Sequence, residues 1–326
     1  MKLLIALPCY NESEKIGEVL ASIPRAYEGI DFVRLLVVDD GSQDDTAEIA
    51  FAAGASVIRH KQNKGLGLAF RSAVDFAIDH GYDLMVNMDG DGQFDSQDIA
   101  RLIQPIVNQE ADFVTASRFL EKKEIPHMAP IKRWGNARMN GLISSLCKRK
   151  FSDVSCGFRA YSRDTLLKIN FYGRFTYTQE SFISFHFNHL TMREVPINVT
   201  YFPDRKSYVT GSIFNFLKKT SIIILGLTRD YYPMKFFGMI GGLFLIPTIL
   251  FGLLFLIHYL TVGYFSGYLF AGLISAFCLL ISILMFSFGV AMESMVRINR
   301  NENRILYQVR KNAPTVPDET AEVYYQ

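Results

Sequence analysis

The sequence has 326 residues and a net charge of +2, with 34 Lys and Arg side chains against 32 Asp and Glu side chains. This length allows one large domain plus attached segments, and the near balance of charge, with no long basic stripe, argues against nucleic acid as a partner. The four cysteines form no C-x-x-C pair, so neither a disulfide framework nor a zinc site is expected.

The first half of the chain alternates between short apolar runs and segments with helical spacing. Near-continuous apolar strands of this kind are typically buried on both faces. The pattern therefore predicts an α/β fold with a mainly parallel, Rossmann-like sheet and helices on both faces. The predicted strands lie at 2–7, 33–38, 55–58, 84–88, 112–116 and 193–201, the last at an edge because it contains Pro196.

Polar clusters follow the carboxyl ends of these strands, where open α/β sheets bind their ligands. A turn with a helix cap is the alternative explanation of the second cluster taken alone. Four clusters at equivalent strand ends nevertheless predict one common crevice. The clusters are Tyr10-Asn11-Glu12, Asp39-Asp40-Gly41-Ser42, Asp89 to Gln93, and Arg118.

Asp89, Asp91 and Gln93 stand at alternate positions just after a predicted strand, with glycines between them. Their oxygens are hard ligands that suit Mg²⁺ or Mn²⁺, and glycine lets a phosphate approach the backbone closely. The EF-hand pattern fails because Phe94 replaces the required glycine and Ala100 the required glutamate. A plain acidic turn is the alternative. The stretch is predicted to hold a divalent cation that neutralises a diphosphate.

Three stretches beyond residue 120 carry side chains suited to anionic or hydroxylated ligands. Lys132 and Arg133 open a predicted helix, and their charges suit a phosphate, with a solvated basic face as the alternative. Arg205 and Lys206 belong to a second basic cluster. Glu180 is a candidate for contact with a hydroxyl-rich group, and a plain carboxylate at a helix start is the alternative.

The stretch 236–292 contains no Asp, Glu, Lys or Arg. A bilayer span needs about 20 apolar residues, so two membrane spans are predicted, at about 236–260 and 268–292. By the positive-inside rule, cations on both sides of the pair predict a hairpin with both ends in the cytoplasm. These cations are Arg229, Lys235, Arg297, Arg300, Arg304 and Arg310. The prediction is an integral protein of a bacterial or archaeal plasma membrane, or of the endoplasmic reticulum, with its globular domain in the cytoplasm.

The remaining segments complete the predicted organisation. Residues 213–232 mix large apolar side chains with two lysines, which favours an amphipathic interfacial helix, with a buried core helix as the alternative. The tail after Asn312 is predicted to be disordered. Glycine and aromatic residues in the hairpin are compatible with a homo-oligomer. The expected domains are 1–212 (globular), 213–232 (interfacial), 233–293 (membrane helices) and 294–326 (cytoplasmic tail).

Seven short motifs resemble the GT-A glycosyltransferases of family 2, and within them the polyprenyl-phosphate (dolichol-phosphate) sugar synthases that carry a C-terminal transmembrane hairpin. Each motif alone is weak evidence, but their order and spacing over 1–212 are specific. Two departures follow Arg205: Gly211-Ser212 is followed by Ile213, where the family often has Gly-x-Ser-Lys, and the spacing from Arg205 to Gly211 is longer than usual, so either Arg205 or Lys206 matches the family's basic residue. Gly90 stands where many members have alanine, a change that keeps the ligands. The motifs are P-C-Y-N-E at 8–12, V-D-D-G-S at 38–42, N-K-G-L-G at 63–67, D-G-D-G-Q at 89–93, S-R-F at 117–119, C-G-F-R at 156–159 and E-V-P-I at 194–197.

The resemblance implies roles for individual residues. The nucleotide diphosphate sugar, linked to UDP or GDP, would be bound by Pro8, Tyr10, Glu12, Asp39, Ser42, Lys64, Gly65, Asp89 and Gly90. Mg²⁺ or Mn²⁺ would be held by Asp89, Asp91 and Gln93. The catalytic groups would be Asp91, Arg118 and Arg133. The acceptor phosphate would meet Lys132, Arg133, Arg205 and Lys206, and the sugar would contact Glu180.

The same resemblance implies an inverting hexosyltransferase that moves a sugar to dolichyl or undecaprenyl phosphate at a lipid bilayer. A phosphate monoester has its second pKa at about 6, so this acceptor is largely dianionic at pH 7 and needs no general base. One alternative is a family 2 transferase that uses a hydroxyl of a glycan, a protein or a glycerolipid. Another is a non-catalytic membrane adaptor that binds nucleotide sugars.

Overall fold

The computed structural model describes residues 1–121, 128, 130–170, 177–200, 225–226, 228–264, 267–316 and 323–325. They form two compact units, Met1–Thr210 with Ile305–Gln326, and Gly211–Arg304. Several predicted features lie outside the described residues: Arg205, Lys206, the side chain of Lys132 and most of the interfacial segment 213–232.

The first unit is built on a sheet of eight strands. In chain order they are β1 (Lys2–Cys9), β2 (Phe32–Asp39), β3 (Ser56–Arg59), β4 (Leu84–Asn87), β5 (Phe113–Ser117), β6 (Arg159–Ser162), β7 (Met192–Pro196) and β8 (Val323–Tyr325). Their order in the sheet is β7-β5-β6-β4-β1-β2-β3-β8. Neighbours are parallel, except that β6 is antiparallel to β4 and β5. The predicted mainly parallel α/β sheet is confirmed, and β7 lies at an edge.

Helices cover both faces of this sheet because successive side chains of a buried strand point to opposite sides. On one face, Leu3, Ile5 and Leu7 of β1 share an apolar core with side chains of the first, second and fourth helices. The third helix packs on β1 and β2. The helices are α1 (Ile16–Ser22), α2 (Thr46–Ala52), α3 (Leu66–Asp79), α4 (Ile99–Val107), α5 (Pro130–Leu146), α6 (Arg163–Lys168) and α7 (Tyr177–Phe187).

The second unit contains two long apolar helices, α8 (Pro233–Val262) and the greater part of α9 (Leu269–Asn312). Both are long and apolar enough to cross a membrane. The Ser275 hydroxyl donates to the Thr248 carbonyl at 2.8 Å, and the Ser282 hydroxyl donates to the Gly241 carbonyl at 2.9 Å. The two helices therefore pack as an antiparallel pair.

The C-terminal tail is structured at positions where the sequence predicted disorder. Helix α9 ends at Asn312, where the predicted disorder begins; beyond it, the Val316 N–H donates to the Asp79 carbonyl at 2.7 Å, and β8 joins the edge of the sheet beside β3. Tail composition gives no sign of this because the contacts are backbone hydrogen bonds to elements far away in the chain.

Candidate active site

The loops after β1 and β2 are tied together by hydrogen bonds. The Asn11 N–H donates to Ser42 Oγ at 2.9 Å, and the Gln43 N–H donates to Asn11 Oδ1 at 2.9 Å. The Glu12 N–H donates to Thr46 Oγ1 at 2.9 Å. These bonds join the P-C-Y-N-E and V-D-D-G-S motifs into one rim of the predicted crevice.

Asp39 is fully buried where β2 ends. Its Oδ1 accepts the Ser42 N–H at 2.9 Å, whereas its Oδ2 lies 3.3 Å from Nε of Arg59 and accepts no hydrogen bond from the described residues. Arg59 also donates to Glu48 at 2.6 Å. Because leaving a buried polar group unsatisfied costs about 1–3 kcal/mol, Oδ2 suits an N–H or O–H donor of a bound ligand.

Asp40 orders the loop that carries Lys64 and Gly65. Its carboxylate accepts the Lys64 N–H at 2.9 Å, the Gly65 N–H at 2.7 Å, and a hydrogen bond from His60 Nδ1 at 2.7 Å. Burial opposes ionisation, but the hydrogen bonds from His60 and the two backbone N–H groups lower the pKa of Asp40 below its ordinary value. Asp40 thus holds the N-K-G-L-G motif in place beside Asp39.

Carboxylates from three strand ends lie within electrostatic reach of the thiol of Cys9. Burial raises the pKa of Cys9 well above its ordinary value, and the nearby carboxylates of Glu12, Asp39, Asp89 and Asp91 raise it further. The ends of β1, β2 and β4 therefore meet in one place, as the sequence predicted.

Asp89 and Asp91 offer two carboxylates to a cation, and a bound substrate would supply the remaining ligands. Among the described residues, no group of three His, Cys, Asp or Glu side chains is arranged to hold a metal ion. The backbone of Gln93 is fixed beside the aspartates, because its N–H donates to Asp91 Oδ1 and its carbonyl accepts the Thr200 N–H, both at 3.0 Å. The predicted role of Gln93 as a metal ligand stays a prediction. Since Mg²⁺ is often bound by one or two carboxylates plus substrate phosphates, Asp89 and Asp91 fit Mg²⁺ or Mn²⁺ with a diphosphate.

Two glycines leave space around this motif. A methyl group built on Gly157 would lie 3.2 and 3.3 Å from the carboxylate oxygens of Asp89. A methyl group on Gly90 would overlap the Sγ atom of Cys9. In this chain the thiol of Cys9 therefore requires glycine, in place of alanine, between the two aspartates.

Gly90→Ala is expected to weaken binding of Mn²⁺ with UDP or GDP about tenfold, because the loop must shift away from Cys9. Cys9→Ala in the same chain removes the overlapping atom and should restore affinity to within about twofold. Isothermal titration of the two single variants and the double variant measures this coupling. Equal affinity of Gly90→Ala and the double variant would show that Cys9 is not the obstacle.

Arg118 lies at the end of β5 in a bidentate ion pair. Its Nε is 2.7 Å from Asp153 Oδ2, its Nη2 is 2.9 Å from Oδ1, and its backbone N–H donates to Oδ2 at 3.2 Å. Asp153 is fully buried. The Nε and Nη2 edge of the guanidinium is thus occupied by Asp153. This contact suits an arginine that positions the turn at 152–154. The predicted catalytic role of Arg118 stays a prediction.

Glu194 of the E-V-P-I motif anchors the same turn. Its carboxylate accepts hydrogen bonds from the Ser152 N–H at 3.0 Å, from Ser152 Oγ at 2.8 Å and from the Asp153 N–H at 3.0 Å. The predicted edge strand carries this acid as a support for the partner of Arg118. The one sign of this role in the sequence is that Glu194 is an acidic residue at the start of an otherwise apolar motif.

Arg159 of the C-G-F-R motif is fully buried in β6. Its guanidinium donates to the Cys156 carbonyl at 2.7 Å, the Val154 carbonyl at 3.0 Å and Ser181 Oγ at 2.7 Å. It also lies over the ring of Phe182, 5.0 Å from its centroid. This arginine holds the stretch that brings the glycine of the motif against Asp89.

A buried polar cluster lies on the face of the sheet that carries the side chain of Arg159. Tyr161 Oη, Tyr177 Oη and Asn87 Oδ1 are buried and lack hydrogen bonds to the described residues. Burial raises the pKa of Tyr177 well above its ordinary value, and Asp89 raises it further. The phenol of Tyr177 therefore lies within electrostatic reach of Asp89. No sequence pattern pointed to these tyrosines.

The other predicted residues lie in β1, in the loop after it, or in helices. Pro8 lies in β1 in register with Val38 of β2, and Tyr10 is exposed just after β1. Arg133 is exposed in the first turn of α5, and Glu180 is half-buried in the first turn of α7. The predicted roles of Arg133 and Glu180 stay predictions.

Comparisons with known proteins place this fold and these motifs in a family. The model of "Glycosyl transferase family 2" matches residues 4–169, about half of the chain. The chain is 30% identical over 217 residues to UDP-N-acetylglucosamine–dolichyl-phosphate N-acetylglucosaminyltransferase of Methanococcus voltae, covering 60% of this chain and 85% of that protein. It is 31% identical over 179 residues to polyprenol monophosphomannose synthase of Mycolicibacterium smegmatis, covering 51% and 64%.

A solved structure supports the fold assignment. Glucosyl-3-phosphoglycerate synthase from Mycobacterium tuberculosis, crystallised with Mn²⁺, UDP and glucosyl-3-phosphoglycerate, superposes with a TM-score of 0.51 at 20% identity, over 70% of this chain and 79% of that chain. This likeness confirms the GT-A-like α/β fold. By the family match, the chain belongs to glycosyl transferase family 2.

Proposed function

We propose that this chain transfers a sugar from a nucleotide diphosphate sugar, linked to UDP or GDP, to a polyprenyl phosphate in the membrane. The observation that carries the proposal is that Asp39, Asp89 and Asp91 of a family 2 fold lie around Cys9: Asp39 is in register with Cys9, and a methyl group on Gly90, between the other two aspartates, would overlap Cys9 Sγ. The dolichyl-phosphate and polyprenol relatives named above supply the acceptor class, and the two apolar helices supply the means of reaching it.

The donor would lie across the crevice from β2 to β4. Asp39 Oδ2 would accept a hydrogen bond from the base or the ribose, and the loop held by Asp40 would border the same end. Asp89 and Asp91 would hold Mg²⁺ or Mn²⁺, which supplies neutralising charge to the departing diphosphate. The neighbour crystallised with Mn²⁺ and UDP supports this use of the fold.

The acceptor phosphate would approach the sugar from the side opposite the diphosphate. It is already largely dianionic at neutral pH, so no carboxylate has to act as a base. Arg133 on the first turn of α5 would screen the repulsion between the two anions, together with the predicted contacts of Lys132, Arg205 and Lys206. A single direct displacement would invert the anomeric carbon.

The apolar helices α8 and α9 would form a membrane hairpin. Arg229 and Lys235 precede it and Arg297 follows it, which by the positive-inside rule puts both ends and the transferase domain in the cytoplasm. A domain anchored there would meet lipid phosphates at the depth of the head groups.

Incubation of the purified full chain with radiolabelled UDP-sugars and GDP-sugars, Mg²⁺ and undecaprenyl or dolichyl phosphate tests the proposal. We expect label in the lipid extract with one class of donor. Matched reactions with undecaprenol or dolichol, which lack the phosphate, should stay unlabelled. Label transferred to these alcohols instead would contradict the proposed acceptor and favour a hydroxyl-directed transferase.

A further inference from the structure

The end of the chain folds back onto the first unit as a strap, defined here as residues 305–316 together with β8. Tyr307 Oη donates to Asp164 Oδ1 at 2.8 Å. Arg310 donates from Nη1 to the Ile169 carbonyl at 2.6 Å, and its Nη2 lies 3.5 Å from Asp75 Oδ1. The last turns of α9 are thus docked on α3 and α6.

The strap next crosses the C-terminal end of α3. The Val316 N–H donates to the Asp79 carbonyl at 2.7 Å. Gly81 has a φ of 71°, and a methyl group built on it would lie 2.9 Å from Cγ2 of Thr315. The domain therefore has room for the strap at a position where a side chain would obstruct it.

Strand β8 then pairs in parallel with β3, which would otherwise be an edge of the sheet. An open edge strand exposes unpaired backbone groups and is a site of unwanted pairing. β3 has only four residues, and β8 is one of the two strands that pair with it, the other being β2. The aligned pairs are Val57 with Val323, Ile58 with Tyr324 and Arg59 with Tyr325.

The last of these pairs leads to the candidate site. Arg59 ends β3, and its Nε lies 3.3 Å from the buried Oδ2 of Asp39, the oxygen that accepts no hydrogen bond within the described part of the chain. The next residue, His60, donates its N–H to the Asp39 carbonyl at 2.9 Å and its ring contacts Asp40. Strand β3, which β8 supports, thus fixes both the guanidinium of Arg59 beside Asp39 and the start of the loop that carries Lys64.

We propose that the strap is a positioning element of the nucleotide site. By pairing with β3, it holds Arg59 beside Asp39 and completes the base-binding end of the crevice. This inference rests on the proposed function, namely that a nucleotide diphosphate sugar binds there. It makes donor affinity depend on a strand, β8, that lies more than 260 residues away from Arg59 in the chain.

The test replaces both Val323 and Tyr324 with proline in the full chain. Two substitutions are needed because only alternate residues of a parallel strand direct their N–H groups to a given neighbour, and proline has none. The matched control, Val323→Thr with Tyr324→Phe, keeps both N–H groups and strand-forming side chains. Hydrogen exchange at Val57 and Ile58 reports docking, and titration with UDP and with GDP in Mn²⁺ reports the site.

We expect the proline variant to lose exchange protection in β3 and to bind the preferred nucleotide about tenfold more weakly, with the control within twofold of wild type. KM for the sugar donor should rise while KM for the lipid phosphate is unchanged. A strap that only attached the end of the chain to the domain would not produce this difference. Arg59→Gln should weaken nucleotide binding similarly and, combined with the prolines, add little further loss.

Two results would overturn the inference while leaving the proposed function standing. In the first, the proline variant loses protection in β3 yet binds nucleotide like wild type. In the second, β3 exchanges equally fast in both proteins, which shows that β8 is not paired. Wild-type protein that binds neither UDP nor GDP would instead count against the proposed function.

Discussion

Replacing Asp91 with alanine is expected to preserve the fold and to lower the rate of sugar transfer about 10²–10³-fold, the loss typical of removing one group that stabilises developing charge. Asp91 is half-buried in a loop, and its Oδ1 accepts the Gln93 N–H at 3.0 Å. The loss of packing is therefore small. The loss of a cation ligand beside the departing diphosphate is large.

Initial rates with saturating Mg²⁺, compared for Asp91→Ala and Glu18→Ala, measure this effect. Glu18 is an exposed acid on α1, and its removal controls for the change in net charge. Circular dichroism establishes that both variants fold. A chelator should abolish transfer by the wild-type chain. If Asp91→Ala transferred sugar at the wild-type rate in the presence of chelator, the assigned metal role would be wrong.

Arg159→Lys is expected to lower the free energy of unfolding of the first unit by about 2–4 kcal/mol. Lysine keeps the buried charge but lacks the planar fork that reaches two carbonyls and Ser181 together. Each buried acceptor that loses its donor costs about 1–3 kcal/mol. The positions of Gly157 and Asp89 should loosen as well, so nucleotide binding with Mn²⁺ should weaken in parallel.

Denaturant titration of the full chain in detergent, followed through the single tryptophan, Trp134, measures this stability change. Arg163→Lys is the matched control, because Arg163 follows β6 directly, is half-buried and donates from Nη1 to the Tyr82 carbonyl at 3.2 Å. It should cost less than about 1 kcal/mol. Equal stability of the two variants would show that the buried network of Arg159 contributes little.

Local patterns in the sequence were enough to predict the parallel half of the sheet and the acidic motif. Apolar runs such as Leu3 to Leu7 are buried on both sides, and that burial leaves a periodic signature. Asp89 and Asp91 follow a strand end, so the topology of the fold alone places them at the crevice. The edge position of β7 followed from Pro196, which cannot complete a central ladder.

Features that depend on distant contacts were not predictable. Strand β6 was not among the predicted strands; it begins at the charged Arg159, which the acceptors at Cys156, Val154 and Ser181 make part of the core. Glu194 could be quoted as a motif, but its three donors lie about 40 residues earlier in the chain.

The strap is the largest feature of this kind. The composition of its part after Asn312 predicted disorder, and the edge of β3 to which β8 pairs becomes visible only when the sheet is assembled. Cys9 and Gly90 illustrate the same limit on a smaller scale, because each residue is explained only by its contact with the other.

Crystals of the full chain grown with Mn²⁺ and UDP, and in parallel with Mn²⁺ and GDP, test the central claim most directly. Anomalous scattering at the manganese edge should give one strong peak between the carboxylates of Asp89 and Asp91 and the diphosphate of the bound nucleotide. A nucleotide bound in the crevice with no manganese peak there, and with both carboxylates turned away from it, would contradict the account.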